Sequence, residues 1–176
     1  LCSSDLFKNF NDSNGHAYGD KVLKATEKLM KNSIRSHDTA ARIGGDEFGI
    51  LITDYNDKFK LETIASEILL SFKNPFEVEE HQIYITSSIG ICKSNSKINT
   101  ADDMLRCSTS AMNFAKDSGK NNYKFYTEEI MDIAERKLTL SNMIKEGWNN
   151  NEFYLVYQPK YNFEEKRYYG AETLMR

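Results

Sequence analysis

Residues 41–52 constrain the fold of this chain more than any other stretch, because they predict a tight hairpin. Adjacent Gly44 and Gly45 can close a short turn, since glycine adopts positive φ without strain. The carboxylates of Asp46 and Glu47 follow directly, and an apolar run then anchors the second strand in a core. Carboxylates beside bare backbone suit a bound Mg²⁺ and an approaching phosphate. An ordinary solvent-exposed turn has the same composition, so spacing alone leaves both interpretations open.

Composition predicts a folded domain with an appendage at most. The chain has 176 residues, of which 40% are hydrophobic and 28% charged. A net charge of −3 gives no general reason to expect nucleic acid or a membrane surface as partner. No apolar run approaches the length of a bilayer span. Cys2, Cys92 and Cys107 are widely spaced without a CxxC pair, which predicts free thiols in a reducing cytoplasm.

The order of predicted elements indicates an α+β fold. Apolar periodicity predicts helices over residues 20–34 and 56–72, and a strand over residues 83–92. Asp20 is a candidate N-cap of the first helix. Residues 100–103 form a predicted capping box for a later helix, whose buried face is expected to include Leu105. Strand, helix, hairpin, helix, strand, helix and strand fit a ferredoxin-like βαββαβ core with extra strands. The predicted domains are residues 1–126, a linker helix over 127–150 and a new segment over 151–176.

Four spaced motifs, in order, resemble those of GGDEF domains, the bacterial diguanylate cyclases. The hairpin carries the Gly-Gly-Asp-Glu-Phe signature itself. Residues 7–20 are similar to the family's FKxxNDxxGHxxGD run, residues 35–38 to its RxxD inhibitory site, and residues 115–121 to its closing AKxxGRN segment. The resemblance implies a fold of the nucleotide-cyclase and polymerase-palm type.

This resemblance implies condensation of two GTP molecules into cyclic di-GMP and pyrophosphate, at a site formed by a homodimer. It implies Mg²⁺ or Mn²⁺ at Asp46 and Glu47, with Asp46 helping to activate the 3′-hydroxyl. The remaining implied ligands are Asn11 and Asp20 for guanine, Lys8, Lys116 and Lys120 for phosphates beside Gly44 and Gly45, and Arg35 with Asp38 for inhibitory cyclic di-GMP.

One departure from the family pattern concerns the metal. The family writes DxDxFK here, and its first Asp is a metal ligand, but this chain has Ser3 in that register. A hydroxyl is a weaker Mg²⁺ ligand than a carboxylate, and Asp5 lies two residues further along the strand. Compared with the family, an N-terminal helix and part of the first strand are expected to be missing before this point.

The last segment resembles the opening of an EAL domain, the cyclic di-GMP phosphodiesterase. Residues 153–159 and 169–176 carry the likeness, which implies Glu172 as a Mg²⁺ ligand with Gln158 and Arg176 near substrate. EAL domains are TIM-like barrels of about 250 residues, so no phosphodiesterase activity is expected from this short segment. The expected parent is a GGDEF–EAL tandem protein with a sensory domain.

Two functions remain open on the sequence. The chain is either a working diguanylate cyclase or a non-catalytic module that binds GTP or cyclic di-GMP and regulates an attached phosphodiesterase. The intact signature favours the first, and Ser3 with the EAL-like segment favours the second. Taken singly, Asp20 could be a helix cap, Lys8 and Lys116 solvated lysines, and Arg35 with Asp38 a surface ion pair.

Overall fold

A computed structural model describes residues 1–5, 16–53 and 58–176, with the side chains of residues 4, 5, 16, 58 and 59 excepted. The chain forms two compact units, residues 1–131 and residues 132–176. The elements in order are β1 (Cys2–Asp5), α1 (His16–Asn32), β2 (Thr39–Gly44), β3 (Glu47–Leu51), α2 (Lys58–Ser71), β4 (Phe76–Val78), β5 (His81–Ile83), β6 (Thr86–Ile91), α3 (Ala101–Asp117), β7 (Tyr123–Phe125), α4 (Glu128–Asn149), β8 (Leu155–Asn162) and β9 (Arg167–Met175).

The first unit is built on a five-stranded mixed sheet with strand order β2-β3-β1-β6-β7. β1 lies between β3 and β6 and is antiparallel to both. β6 and β7 are parallel, so α3 is the crossover between them. The predicted α+β class is confirmed.

Helices α1 and α2 pack against strand residues to form the main core. Val22, Leu23 and Met30 of α1 are buried with Ala65 and Ile68 of α2. Strand residues of the same cluster include Cys2, Phe48 and Ile89. Because side chains alternate along a strand, Cys2 and its neighbour Ser3 face opposite sides of the sheet, and both are buried. β1 is therefore covered on both faces, which places Ser3 in the protein interior.

Helix α3 packs closely on β6 at a glycine. A Cβ added to Gly90 would lie 2.0 Å from the carbonyl oxygen of Ser108 and 2.3 Å from the amide nitrogen of Met112. The capping box is confirmed, because the Asp103 amide donates to Thr100 Oγ1 at 3.1 Å. Capping and close packing together fix the position of α3 on the sheet.

Three local expectations are wrong. Helix α1 begins at His16, so Asp20 lies inside the helix and is not its N-cap. The strand predicted over residues 83–92 is wrong in its bounds: β6 joins the main sheet over Thr86–Ile91, whereas Ile83 belongs to β5, which pairs with β4 in a separate hairpin. Leu105, expected on the buried face of α3, is 39% exposed, and Cys107 and Ser108 are buried there instead.

The second unit contains most of α4 and a hairpin of β8 and β9. The two strands pair antiparallel along their length, with Gln158 opposite Glu172. A turn joins the two strands, where Asn162 Oδ1 accepts from the amides of Glu164 and Glu165. Across the described ranges, we find no helix with the length and apolar character needed to cross a membrane.

Candidate nucleotide and metal site

The turn between β2 and β3 has a defined backbone. Gly45 has φ of +52°, which favours glycine, and the pairing register shifts between Arg42 and Gly44. Arg42 Nε donates to the Gly45 carbonyl oxygen at 2.8 Å and closes the turn from the side. Asp46 and Glu47, both half-buried, follow at the start of β3. The glycine pair thus sets the two carboxylates at the end of a strand, as the sequence predicted.

Ser3 lies beside these carboxylates. It is opposite Glu47 in the pairing of β1 with β3, and its hydroxyl donates to Asp46 Oδ2 at 2.9 Å. Its exposed fraction is 0%. The register therefore places Ser3 beside both carboxylates, with its proton directed to Asp46.

The donor set of this cluster fits a hard divalent cation held jointly with phosphates. Mg²⁺ is commonly bound in proteins by one or two carboxylates, with substrate phosphates and water completing its shell. Asp46 and Glu47 supply two carboxylates, and Ser3 adds only a neutral oxygen. Within the described ranges, no group of three or more His, Cys, Asp or Glu side chains could hold a metal.

Arg42 lies between Asp20 and this turn. Arg42 Nη1 is 3.9 Å from Asp20 Oδ1, and the two side chains are 44% and 67% exposed. Together with Leu23, Lys24 and Glu27 they line a cavity of about 260 Å³. The predicted guanine ligand and the predicted metal turn are thus connected by Arg42. We did not predict Arg42 from sequence, although an arginine two residues before a glycine turn with carboxylates is a signal that could have identified it.

Arg35 and Asp38 form a tight pair between α1 and β2. Arg35 Nε donates to Asp38 Oδ2 at 2.8 Å, and Arg35 Nη2 donates to Asp38 Oδ1 at 2.7 Å. The Asp38 side chain is fully buried, whereas that of Arg35 is 29% exposed. The Arg35 hydrogen bonds lower the pKa of Asp38 from 3.8 to about 2, with smaller help from the Thr53 amide. This pair is therefore more than a solvated surface ion pair.

The predicted phosphate lysines lie at the end of α3. Lys116 is half-buried in the last turn of the helix, and exposed Lys120 follows with φ of +59°. Ser3 contacts Asp46 and Asp20 lies near Arg42, whereas the two lysines lie at the end of a different element. Lys8 and Asn11 lie outside the described residues.

Glu172, implied as a ligand by the EAL resemblance, lies on β9 in the second unit. Its carboxylate is 3.7 Å from Lys160 Nζ, and its side chain is 56% exposed. Arg176 Nη1 donates to the Met175 carbonyl oxygen at 3.2 Å. Gln158 lies on β8, directly opposite Glu172 in the pairing of the two strands.

Comparison with known proteins gives the family. The family model described as diguanylate cyclase, GGDEF domain, matches residues 1–122. Among curated relatives, the chain is 32% identical over 171 residues to signaling protein YkoW of Bacillus subtilis, covering 97% of this chain and 21% of that protein. It is 30% identical over 172 residues to the bifunctional diguanylate cyclase/cyclic di-GMP phosphodiesterase MucR of Pseudomonas aeruginosa, covering 98% and 25%. The chain thus spans about a fifth to a quarter of these relatives.

Solved structures agree with this result. An EAL/GGDEF domain protein from M. capsulatus is 41% identical with a TM-score of 0.68, covering 72% of this chain and 81% of that one. The GGDEF domain of TpbB (YfiN) from Pseudomonas aeruginosa is 28% identical with a TM-score of 0.72, covering 76% and 78%. The GGDEF family is generally metal-dependent, and its domains bind GTP and cyclic di-GMP and act as dimers. With the signature turn, the sheet order and these matches in agreement, the chain belongs to the diguanylate cyclase GGDEF domain family of cyclic di-GMP signalling proteins.

Proposed function

We propose that this chain binds GTP in the manner of a diguanylate cyclase but condenses it into cyclic di-GMP slowly. The observation that carries this proposal is the hydrogen bond from Ser3 to Asp46, at the register where the family has a metal-binding carboxylate. A hydroxyl cannot neutralise cation charge as a carboxylate does. If turnover is lost completely, the chain is the non-catalytic alternative, a module that binds GTP or cyclic di-GMP and regulates a phosphodiesterase.

The residues of the turn would bind and orient the triphosphate. Asp46 and Glu47 would hold Mg²⁺ or Mn²⁺, which neutralises phosphate charge when bound. Gly44 and Gly45 present backbone without side chains, so phosphates can approach them closely. Asp46 would also accept the proton of the attacking 3′-hydroxyl. Lys8, Lys116 and Lys120 would add positive charge at the phosphates.

Asp20 and Asn11 would select the base. A carboxylate accepts hydrogen bonds from N1–H and the 2-amino group of guanine, and adenine would leave that carboxylate without a donor. The exposed side chain of Asp20 at the rim of the 260 Å³ cavity supports this role. Each chain would hold one GTP, so condensation would need a homodimer whose two sites face each other.

Arg35 and Asp38 would form a product site. The partly exposed guanidinium of Arg35 is the member that could contact guanine or phosphate of cyclic di-GMP. The buried carboxylate of Asp38 would hold that guanidinium in place. If Arg35→Ala binds cyclic di-GMP as tightly as the unaltered chain, this pair has only a structural role.

We also propose that residues 1–126 form the GGDEF domain, that residues 127–150 link it onward, and that residues 151–176 begin an EAL domain. The hairpin of β8 and β9 lies in a compact unit separate from residues 1–131, which supports a further domain there. The name of MucR and the description of the M. capsulatus protein also combine the two activities or domains. Glu172 would then bind Mg²⁺ only when the rest of that domain surrounds it.

Calorimetric titration of the chain with GTP and with ATP tests the nucleotide assignment. GTP should bind at least about tenfold more tightly, because a mismatched edge leaves Asp20 unpaired. Asp20→Ala should weaken GTP binding and leave ATP binding nearly unchanged. Glu27→Ala, which alters another residue lining the cavity, is the matched control. Equal affinity for the two nucleotides would overturn the assignment.

A further inference from the structure

We propose that Arg42 is a specificity-determining residue that donates a hydrogen bond to O6 of guanine, beside Asp20. This inference rests on the proposed GTP-binding function and deepens it. It gives the site a second, independent reason to reject adenine. The observations that carry it are the placement of a donor next to an acceptor at one cavity and the way in which Arg42 is held.

The two groups stand side by side at the cavity of about 260 Å³. Arg42 Nη1 and Asp20 Oδ1 are 3.9 Å apart, which is too long for a direct hydrogen bond. Both side chains are at least 44% exposed, so a ligand can reach them. Buried Leu23 lines the same cavity and offers an apolar surface to the face of a flat base.

This donor and acceptor match the edge of guanine. Guanine carries the O6 acceptor next to the N1–H donor, so Arg42 can donate to the first while Asp20 accepts from the second. Adenine carries an amino donor and a bare N1 acceptor at these two positions. Binding adenine in the same orientation would place donor against donor and acceptor against acceptor.

The main-chain contact of Arg42 makes its placement definite. Nε donates to the Gly45 carbonyl oxygen at 2.8 Å, so one end of the guanidinium is anchored on the turn. The terminal nitrogens are then directed by the rigid plane of the group, which a lysine could not reproduce. The base would thereby be held at a fixed position relative to Asp46 and Glu47.

The test pairs a residue change with a change of one base atom. We would measure the dissociation constants of GTP and 6-thio-GTP, whose sulfur is a poor acceptor at position 6, by calorimetry with Mg²⁺. The unaltered chain should bind GTP about tenfold more tightly than 6-thio-GTP, which corresponds to about 1.4 kcal/mol. In Arg42→Ala, GTP binding should weaken by about tenfold and the ratio between the two nucleotides should fall close to one.

Two comparisons keep the test decisive. Arg106→Ala removes another exposed arginine, which pairs with Asp103 on α3, and should leave the ratio unchanged. Inosine triphosphate keeps O6 and lacks only the 2-amino group, so its ratio to GTP should be the same in Arg42→Ala and the unaltered chain. A purely structural effect of Arg42 would weaken all three nucleotides together and preserve every ratio.

The outcomes separate this inference from the proposed function. If the unaltered chain binds GTP and Arg42→Ala retains the tenfold preference over 6-thio-GTP, Arg42 does not read O6 and only the present inference is overturned. If the unaltered chain does not bind GTP, the proposed function and this inference are overturned together. If Arg42→Ala does not fold, Arg42→Lys is used, and it should lose most of the preference because it lacks the anchored fork.

Discussion

Replacing Asp38 with asparagine should destabilise the first unit in a pH-dependent way. The carboxylate is fully buried and accepts hydrogen bonds from Arg35 Nε, Arg35 Nη2 and the Thr53 amide. These contacts, led by the Arg35 hydrogen bonds, lower its pKa from 3.8 to about 2. That difference corresponds to about 1–2 kcal/mol of stability at neutral pH, after an allowance for solvent at the partly exposed Arg35.

The direction of the pH dependence follows from the lowered pKa. The contribution of ionised Asp38 is fully present above pH 3.8 and is lost as the pH falls through about 2. Urea unfolding of the unaltered chain and Asp38→Asn at pH 7, 5, 4 and 3 measures it. The difference in unfolding free energy between the two proteins should stay constant from pH 7 to 5. By pH 3, roughly half of the contribution from ionised Asp38 should be lost.

A matched control separates burial from pairing. Glu128 pairs with Lys97 at 2.9 Å, a distance close to that of the Arg35–Asp38 pair, but both side chains are 79% exposed. Glu128→Gln should change the unfolding free energy little at any of these pH values, because exposed pairs are well screened. An Asp38→Asn gap that is absent at pH 7, or that does not shrink in acid, would refute the reasoning.

Two further predictions concern α3 and the cysteines. Gly90→Ala should cost about 3 kcal/mol or more in unfolding free energy, because its Cβ would lie 2.0 Å from the Ser108 carbonyl oxygen. Gly44→Ala is the control, since a Cβ there meets nothing within 4 Å. Similar melting temperatures for the two variants would contradict this prediction. Burial, with a smaller contribution from Cys107, raises the pKa of Cys92 to about 11. Its alkylation by iodoacetamide at pH 8 should therefore be far slower than that of free cysteine, and equal rates would show the thiol to be ionised.

The parts of the fold that sequence predicted well are those in which local chemistry and packing agree. The glycine pair predicted the turn before Asp46, and Thr100 predicted the start of α3. The errors arose where tertiary contacts decide. Asp20 follows a glycine and resembles a cap, but α1 begins earlier, at His16. The apolar residues of β5 and β6 read as one strand, although they pair with different partners.

The site shows the same division between local pattern and long-range contact. The register of Ser3 could be inferred from its spacing to the motif that follows, and the structure brings it to Asp46 across the sheet. The pairing of Arg42 with Asp20 could not be inferred, because α1 and β2 are brought together only by folding. Likewise, the hydrogen bond from the Thr53 amide to Asp38 could not be inferred, because folding brings together residues that are 15 apart in the sequence.

The central claim is that Ser3 limits cyclisation while GTP binding remains. The most direct measurement is the rate of cyclic di-GMP formation from GTP and Mg²⁺, followed by chromatography, for the chain as it stands, for Ser3→Asp and for Ser3→Ala. Incomplete charge neutralisation can cost a rate factor on the order of a thousand. We predict slow turnover with Ser3 or alanine and a rise of at least about a hundredfold with aspartate. Equal rates for the unaltered chain and Ser3→Asp would contradict the claim and show that Asp5 or water completes the metal site.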